Sequence, residues 1–559
     1  MFKRAFDNIL DKPASKPELY PYIYSLSFKG LKKEVKKIVN IKPIICSQCG
    51  AILTDVNLIQ EDQKIGTYYK CKYCGTVNVI KKLELTESFP NEVDFLIENA
   101  PSKEEESTKG TIVKKAQGDL YISVIDISGS MSGAKIEVVK KSLIQTLKDF
   151  KINSPKTKFI LVAFESYVYY YLKYDMDPIV FEEDLLFSMD QMKRVLQNKI
   201  EKKPDIGSIG EFADGWVNKI NELHSMDMTA LGPALFLAVI SFELFQFTSS
   251  SGRITLLTDG LANEGIGNLS GTSIGAEDFY DKMAELCNQK IIIVDVVGVS
   301  IPGDNNEMGL QILGKLTDHT GGKLYLISSD EMEAIFTELR HMNFIGKDVK
   351  IKVITPSPIK LKKVTGAFSS EDIKKSEINI GAVTEDRELF VEFEAKPKEL
   401  SENAVDSIPV QFQVEYKDNE GRRKLRVFDD QVKITDNEEN FKATYDQRLN
   451  AIFNIQSSGI QDYSGKREKS KSQLQDLKRN ILEEMNTIKA SDANFVGTKF
   501  MESVSFLDDE LEEMDLEEKM AQNAPKASYF ASVGQARTRI SQDKLFKRMQ
   551  KKGKYKEKK

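Results

Sequence analysis

Histidine is scarce in this chain, with three in 559 residues, and tryptophan scarcer still, with one. A two-zinc ring domain draws roughly eight ligands mostly from cysteine, and this chain has too few cysteines, five, with only His224, His319 and His341 beside them. No P-loop lysine, nucleophile elbow or cysteine–histidine pair is present, which removes the common catalytic constellations and leads us to expect no enzyme. Long apolar runs are missing too. The longest, Ile291 to Val299, contains Asp295 and falls far short of the ~20 residues that cross a bilayer. The first residues hold no apolar core of a secretion signal. The few cysteines form no disulfide framework, because four of the five fall into C-x-x-C pairs and Cys287 lies on a helical pattern. A net charge of −6 gives no global pull towards nucleic acid or membrane. With 41% hydrophobic and 29% charged residues, the chain reads as globular, with roughly three or four folding units. Its composition suits the cytosol, with the nucleus as the alternative.

What is present centres on YISVIDISGSMSG, Tyr121 to Gly133. Tyr121 to Ile125 is a β-branched run that suits a strand buried on both faces of a parallel sheet. Asp126, Ser128 and Ser130 follow at alternate positions with hard oxygen donors, which favour Mg²⁺ or Ca²⁺ over zinc. From Lys135 the period becomes helical through Ile136, Val139, Leu143 and Leu147. The oxygens therefore sit on the loop at the carboxyl end of a strand, where open α/β sheets bind ligands.

Upstream, Cys46 and Cys49 are separated from Cys71 and Cys74 by residues 50 to 70, and each pair is followed directly by glycine. Two such knuckles close a tetrahedron around Zn²⁺ and leave no open position for catalysis. The alternation between them suits the hairpins of a zinc ribbon.

The motif D-I-S-G-S resembles the D-x-S-x-S signature of the metal-ion-dependent adhesion site of von Willebrand factor type A domains. The resemblance spans about Gly118 to Phe344 and continues at Thr229 in TALGPAL and Asp259 in ITLLTDG. It implies that Asp126, Ser128, Ser130, Thr229 and Asp259 hold Mg²⁺, or Ca²⁺ or Mn²⁺, directly or through water. An open coordination position would then accept an Asp or Glu carboxylate from a protein partner.

The expected order is an N-terminal arm (1–40), the zinc ribbon (41–82), a charged linker (83–117), the α/β doubly wound type A domain (118–345), a β-sandwich (346–438), a helical region (439–525) and a basic tail (526–559). KGLKKEVKK gives the arm a lysine-rich patch, and its prolines also fit a sandwich-edge segment. Trp216, in a polar helical insertion of the type A domain, reads as a packing residue. The sandwich rests on a change of period to two in DVKIKVIT, ELFVEFE, IPVQFQVEY and KLRVF. Lys544 to Lys559 carries Glu557 as its one acid and is expected to be dispensable for folding.

Zinc ribbon, type A domain, sandwich and helices in this order are similar to the inner-coat subunits of the COPII vesicle coat. That resemblance implies a scaffold for protein partners in vesicle transport, peripheral to endomembranes. Two features depart from it: no segment like the family's terminal gelsolin-like domain follows the helices, and the adhesion motif is intact where coat trunks generally have degraded motifs. The type A subunit of transcription factor TFIIH is also similar, but its zinc module follows the type A domain. It supports the alternative of a nuclear scaffold in transcription or repair. Asp126 and Asp259 around Mg²⁺ give a third, weaker reading, a metal-dependent phosphohydrolase.

Overall fold

The computed structural model describes residues 1–32, 38–39, 42–80, 88–89, 91–98, 120–201, 206–225, 228–245, 252–270, 275–300, 309–328, 344–366, 377–396, 399, 406–418, 421–487 and 493–548. The linker segment 101–115, a closing type A helix expected at 331–340, His341 and the end of the basic tail lie outside these residues.

The β-branched run of the central motif forms the strand Leu120–Asp126, buried along its whole length. It is the middle of a seven-stranded sheet, paired in parallel with Lys158–Phe164 on one side and Gly252–Thr258 on the other. Ile292–Ser300 and Leu324–Ser328 continue the parallel half. Val168–Tyr171 and Ile179–Phe181 close the opposite edge antiparallel. Alternate residues feed two cores, as a doubly covered sheet requires. Tyr121 and Ile125 pack with the helices Ala134–Asn153 and Ile209–Asn221. Leu120, Ile122 and Val124 pack with Leu231–Leu244, Ala276–Lys290 and Leu310–Thr320. Trp216 is in the first of these cores, edge-on to Phe159 at 4.9 Å, so its role is packing. Because the chain leaves Leu120–Asp126 first to one side and later to the other, its carboxyl end is a topological switch point.

The β-sandwich is built from more of the chain than the period-two signal indicated. One sheet runs Phe2–Arg4, Tyr22–Ser27, Glu388–Ala395 and Ile359–Thr365. The other runs Glu377–Thr384, Phe344–Ile354, Ser407–Lys417, Arg423–Thr435, Glu92–Glu98 and Ile38–Val39, with Asn8–Leu10 added beside Arg423–Thr435. The segments 1–40 and 83–117 are therefore not simply an arm and a linker, since both donate strands. Ile23, Tyr24 and Leu26 are buried in the sandwich core, and Arg426 forms a buried two-pronged ion pair with Asp94. Ribbon and type A domain are thus insertions between strands of one sandwich, which ties the three together.

The helices Gln447–Tyr463, Arg467–Thr487 and Ala493–Met520 fold back onto the sandwich and share its core through Leu449, Ile452, Ile455, Phe500 and Leu507. The boundary placed at 526 also moves. Lys526–Thr538 is a helix whose Arg537, 2% exposed, pairs with Asp462, Glu510 and Glu517, and Arg467 reaches the same Asp462 and Glu517. Arg537 is the reason that charge misleads here: in this segment the basic residue is an internal clasp, not a solvated tail. The same helix covers the open edge of the type A sheet, where Gln535 and Ser532 accept hydrogen bonds from the backbone N–H groups of Leu324 and Leu326.

Candidate metal centres

The two cysteine knuckles have the same local build. Gly50 N–H donates to Cys46 O at 3.0 Å and Gly75 N–H to Cys71 O at 2.8 Å. Both glycines have left-handed backbones, φ 74° and 75°, which is the conformation a Cβ disfavours. The four sulfurs lie within 4.8 Å of one another, with Cys46–Cys74 and Cys49–Cys71 each at 3.6 Å. Sulfurs tetrahedrally arranged 2.3 Å from a shared zinc are about 3.8 Å apart, so the set fits that ion. Asn78 supports it, donating through Nδ2 to Cys46 Sγ at 3.4 Å while its Oδ1 accepts from Ser47. Burial raises the Cys49 and Cys71 thiols, whereas at Cys46 the backbone N–H groups of Cys49 and Gln48, with Asn78, outweigh burial and bring its thiol down to about 6. Ligation requires the thiolate, so these donors act in favour of a metal.

The ribbon is seated on the sandwich by polar contacts. Tyr73 Oη donates to Asp429 at 2.6 Å, Lys72 pairs with it at 2.8 Å, and Thr54 hydrogen-bonds the same carboxylate. Gln411 extends the backbone pattern, accepting from Ile52 N–H and donating to Ile52 O.

At the switch point of the type A sheet, Asp126 ends its strand fully buried. Its Oδ1 accepts from Ser128 N–H at 2.9 Å and its Oδ2 from Thr258 Oγ1 at 2.6 Å. Ser128 Oγ lies 3.0 Å from Ser130 Oγ, which donates to Asp259 Oδ1 at 2.7 Å. Thr229 precedes the helix Leu231–Leu244, and Asn263 Oδ1 accepts from its backbone N–H. A Cβ built on Gly260 would lie 3.8 Å from Ser130 Oγ and 3.9 Å from Thr229 Oγ1, so these two hydroxyls border one space. The five residues named from the sequence thus come together from three loops. Two carboxylates and three hydroxyls make a hard-oxygen set of the kind magnesium uses. Burial pushes the Asp126 carboxyl up to about 6, against the hydrogen bonds from Ser128 and Thr258. A buried, poorly solvated carboxylate favours an added cation.

One participant was missed in the sequence. Lys135, on the first turn of Ala134–Asn153, places Nζ 2.5 Å from Asp259 Oδ2, with both side chains buried. In sequence Lys135 marks only the start of a helical period, and its partner lies 124 residues further on. Among the other expected candidates, Cys287 is sealed in the core with its thiol raised by burial, which makes it a packing residue.

Comparison with known proteins agrees with this architecture. Residues 117–341 match the Sec23/Sec24 trunk domain family. No curated protein matches the chain. The crystal structure of the human COPII-coat protein Sec24c is similar with a TM-score of 0.60 and 14% identity, over 97% of this chain and 75% of that one. A von Willebrand factor type A protein from Catenulispora acidiphila is similar at 14% identity and a TM-score of 0.46, over 76% of this chain and 90% of its own. The chain therefore has the multidomain α/β fold of a coat subunit, with a trunk domain and a four-cysteine cluster, and it resembles the COPII inner-coat subunits.

Proposed function

We propose that this chain is a non-enzymatic scaffold of a COPII-like coat or trafficking assembly, which captures protein partners at the adhesion-type loops of its trunk domain. The observation that carries the reading is the fold shared along 97% of the chain with a COPII-coat protein. Zinc at Cys46, Cys49, Cys71 and Cys74 would hold the ribbon closed. Asp126, Ser128, Ser130, Thr229 and Asp259 would hold Mg²⁺. When bound, that ion supplies positive charge for a partner's Asp or Glu side chain. The chain's own part is to fix the oxygens: Thr258 anchors Asp126, and Asn263 anchors the Thr229 loop. Among the described residues no helix is long and apolar enough to cross a membrane, so association with endomembranes would be peripheral, from the cytoplasmic side.

The test is affinity capture from cytosol with the intact chain and with Asp126→Ala, in Mg²⁺ and in EDTA. Coat components captured by the wild type in Mg²⁺, and lost in EDTA or in the variant, support the proposal. Partners indifferent to both changes refute the adhesion mechanism, and a set made of transcription or repair factors refutes the coat assignment.

A further inference from the structure

The adhesion loops have a neighbour that the metal reading leaves unused. Asp126 is level with Phe164 on the next strand, Phe164 with Val168, and Val168 with Phe181. Phe181 therefore ends its strand at the same edge of the sheet as the oxygen set, three strand spacings or about 14 Å away. The turn Glu183–Phe187 begins there. Segment 263–266 joins this turn to the oxygen set. Asn263 and Glu264 donate backbone N–H groups to Thr229 O at 3.1 and 3.3 Å, and Ile266 donates its own to Leu186 O at 3.0 Å.

Two large apolar side chains at the ends of that segment stand in the open. Leu186 is buried in the trunk core, but Phe187 beside it is 60% exposed, and Met228, directly before Thr229, is 46% exposed. Covering such groups with a partner's apolar side chain is favourable, whereas leaving them in water gains nothing. The turn also carries Glu182, Glu183 and Asp184, all exposed and, among the described residues, without an ion-pair partner. Glu183 has a left-handed backbone, φ 49°, so the three carboxylates share one tight bend. A partner bringing only carboxylates would meet the metal position and then repulsion. One that follows its carboxylate with apolar groups and then cations would be complementary along the whole path.

We propose that the adhesion loops and this turn form one docking surface for an extended peptide segment of mixed charge, carried by a protein partner. Its Asp or Glu meets the metal position, apolar side chains cover Met228 and Phe187, and Lys or Arg about four residues from the acid meets Glu182 and Asp184. Four residues of extended chain reach about 13 Å, which matches the span across the strands. The proposal rests on the metal reading of the five oxygens and adds what the partner must carry beside its carboxylate.

The test uses the full chain and two dye-labelled synthetic peptides, GSDLSLKKS and the same residues in reverse order. Peptide binding is read by fluorescence anisotropy in Mg²⁺ and in EDTA, with calorimetry of Mg²⁺ alone beside it. We expect saturable binding of one order in Mg²⁺, loss in EDTA, and weakening as salt rises. Phe187→Ser should weaken peptide binding about tenfold, the effect of one uncovered apolar side chain, and leave Mg²⁺ affinity unchanged. Exchanging the peptide's lysines for glutamates should weaken binding to the wild type at least about tenfold. The same exchange should strengthen binding to the double variant Glu182→Lys, Asp184→Lys, whose changes lie on the surface. Mg²⁺ bound without peptide, or peptide binding indifferent to Phe187→Ser and to the charge swap, would overturn the docking surface and leave the metal reading in place. Peptide binding that follows Phe187 and the charge swap but ignores EDTA would support the surface and remove the metal reading. Neither Mg²⁺ nor peptide bound would overturn both.

Discussion

Lys135 Nζ sits 2.5 Å from Asp259 Oδ2, so the trunk domain already holds a cation, tethered to its own helix, against one of the two carboxylates of the adhesion-type site. A divalent ion held by Asp259 would share that carboxylate with this ammonium, which occupies Oδ2 while Oδ1 faces Ser130. At a separation near 4 Å, two unit charges repel by about 4 kcal/mol at an effective dielectric of 20, before solvent and side-chain movement reduce it. Lys135→Met should therefore raise Mn²⁺ or Mg²⁺ affinity about tenfold or more, read by calorimetry. In EDTA the same variant should lose about 3 kcal/mol of stability, because Asp259 is left buried without its partner. Added Mg²⁺ should recover most of that loss. A variant whose metal affinity equals that of the wild type would show that Lys135 does not control access.

A metal on the four cysteines would supply the ribbon's folding energy, since the cluster joins strands with only a small apolar core of their own. Native protein should contain one zinc, and Cys71→Ser should lose it. The effect should reach Asp429, whose contacts with Thr54, Lys72 and Tyr73 need a closed ribbon. Hydrogen exchange should show lost protection in residues 42–80 and at Asp429, with the trunk sheet unchanged. Native protein free of zinc would refute the assignment.

How much of this was legible follows the physics of each signal. The Leu120–Asp126 strand and its loop were readable because a fully buried parallel strand shows as an unbroken apolar run, and Ser128 and Ser130 with their oxygen donors follow Asp126 directly in sequence. The knuckles were readable because all their determinants are local. The sandwich was under-read, since Phe2–Arg4 and Ile38–Val39 are too short to show a period, and Glu92–Glu98 pairs with Arg423–Thr435 on the far side of the whole type A segment. Lys135, Arg387 and Arg537 were invisible for one reason: a buried cation looks like a surface cation until the acid that holds it, distant in sequence, is located.

Acid should loosen the N-terminal segment before the body of the molecule. Glu438 accepts hydrogen bonds from Ser15 N–H and Oγ, which hold its carboxyl down to about 2 with Lys442 beside it. A depressed folded value means that the contribution is complete above the ordinary value of about 4.3 and disappears as pH falls towards 2. The group is partly exposed, so solvent screening limits its worth to about 1 kcal/mol. Glu438→Gln should thus melt below the wild type at pH 7, and the two should converge between pH 4 and 2. A gap that stays constant across that range would mean that the carboxylate's charge is not what holds Ser15.

Removal of the last residues was expected from the sequence to be harmless, and the packing of residues 544–546 reverses that. Leu545 is 1% exposed and belongs to the core shared by sandwich and helices. Phe546 meets Phe506 edge-on at 5.3 Å, and Lys544 pairs with Asp386. Truncation before Lys544 therefore opens a hole beneath Ala493–Met520 as well as removing charge. Leu545→Ala alone should cost about 2–4 kcal/mol, the range for a buried leucine whose surroundings relax only in part. Stopping the chain after Arg548 keeps all three contacts and should leave the melting temperature close to that of the full chain. Denaturant unfolding of the two truncations separates the explanations: equal losses would mean that residues beyond 548 contribute to stability, whereas a loss confined to the shorter chain assigns the effect to Leu545 and Phe546.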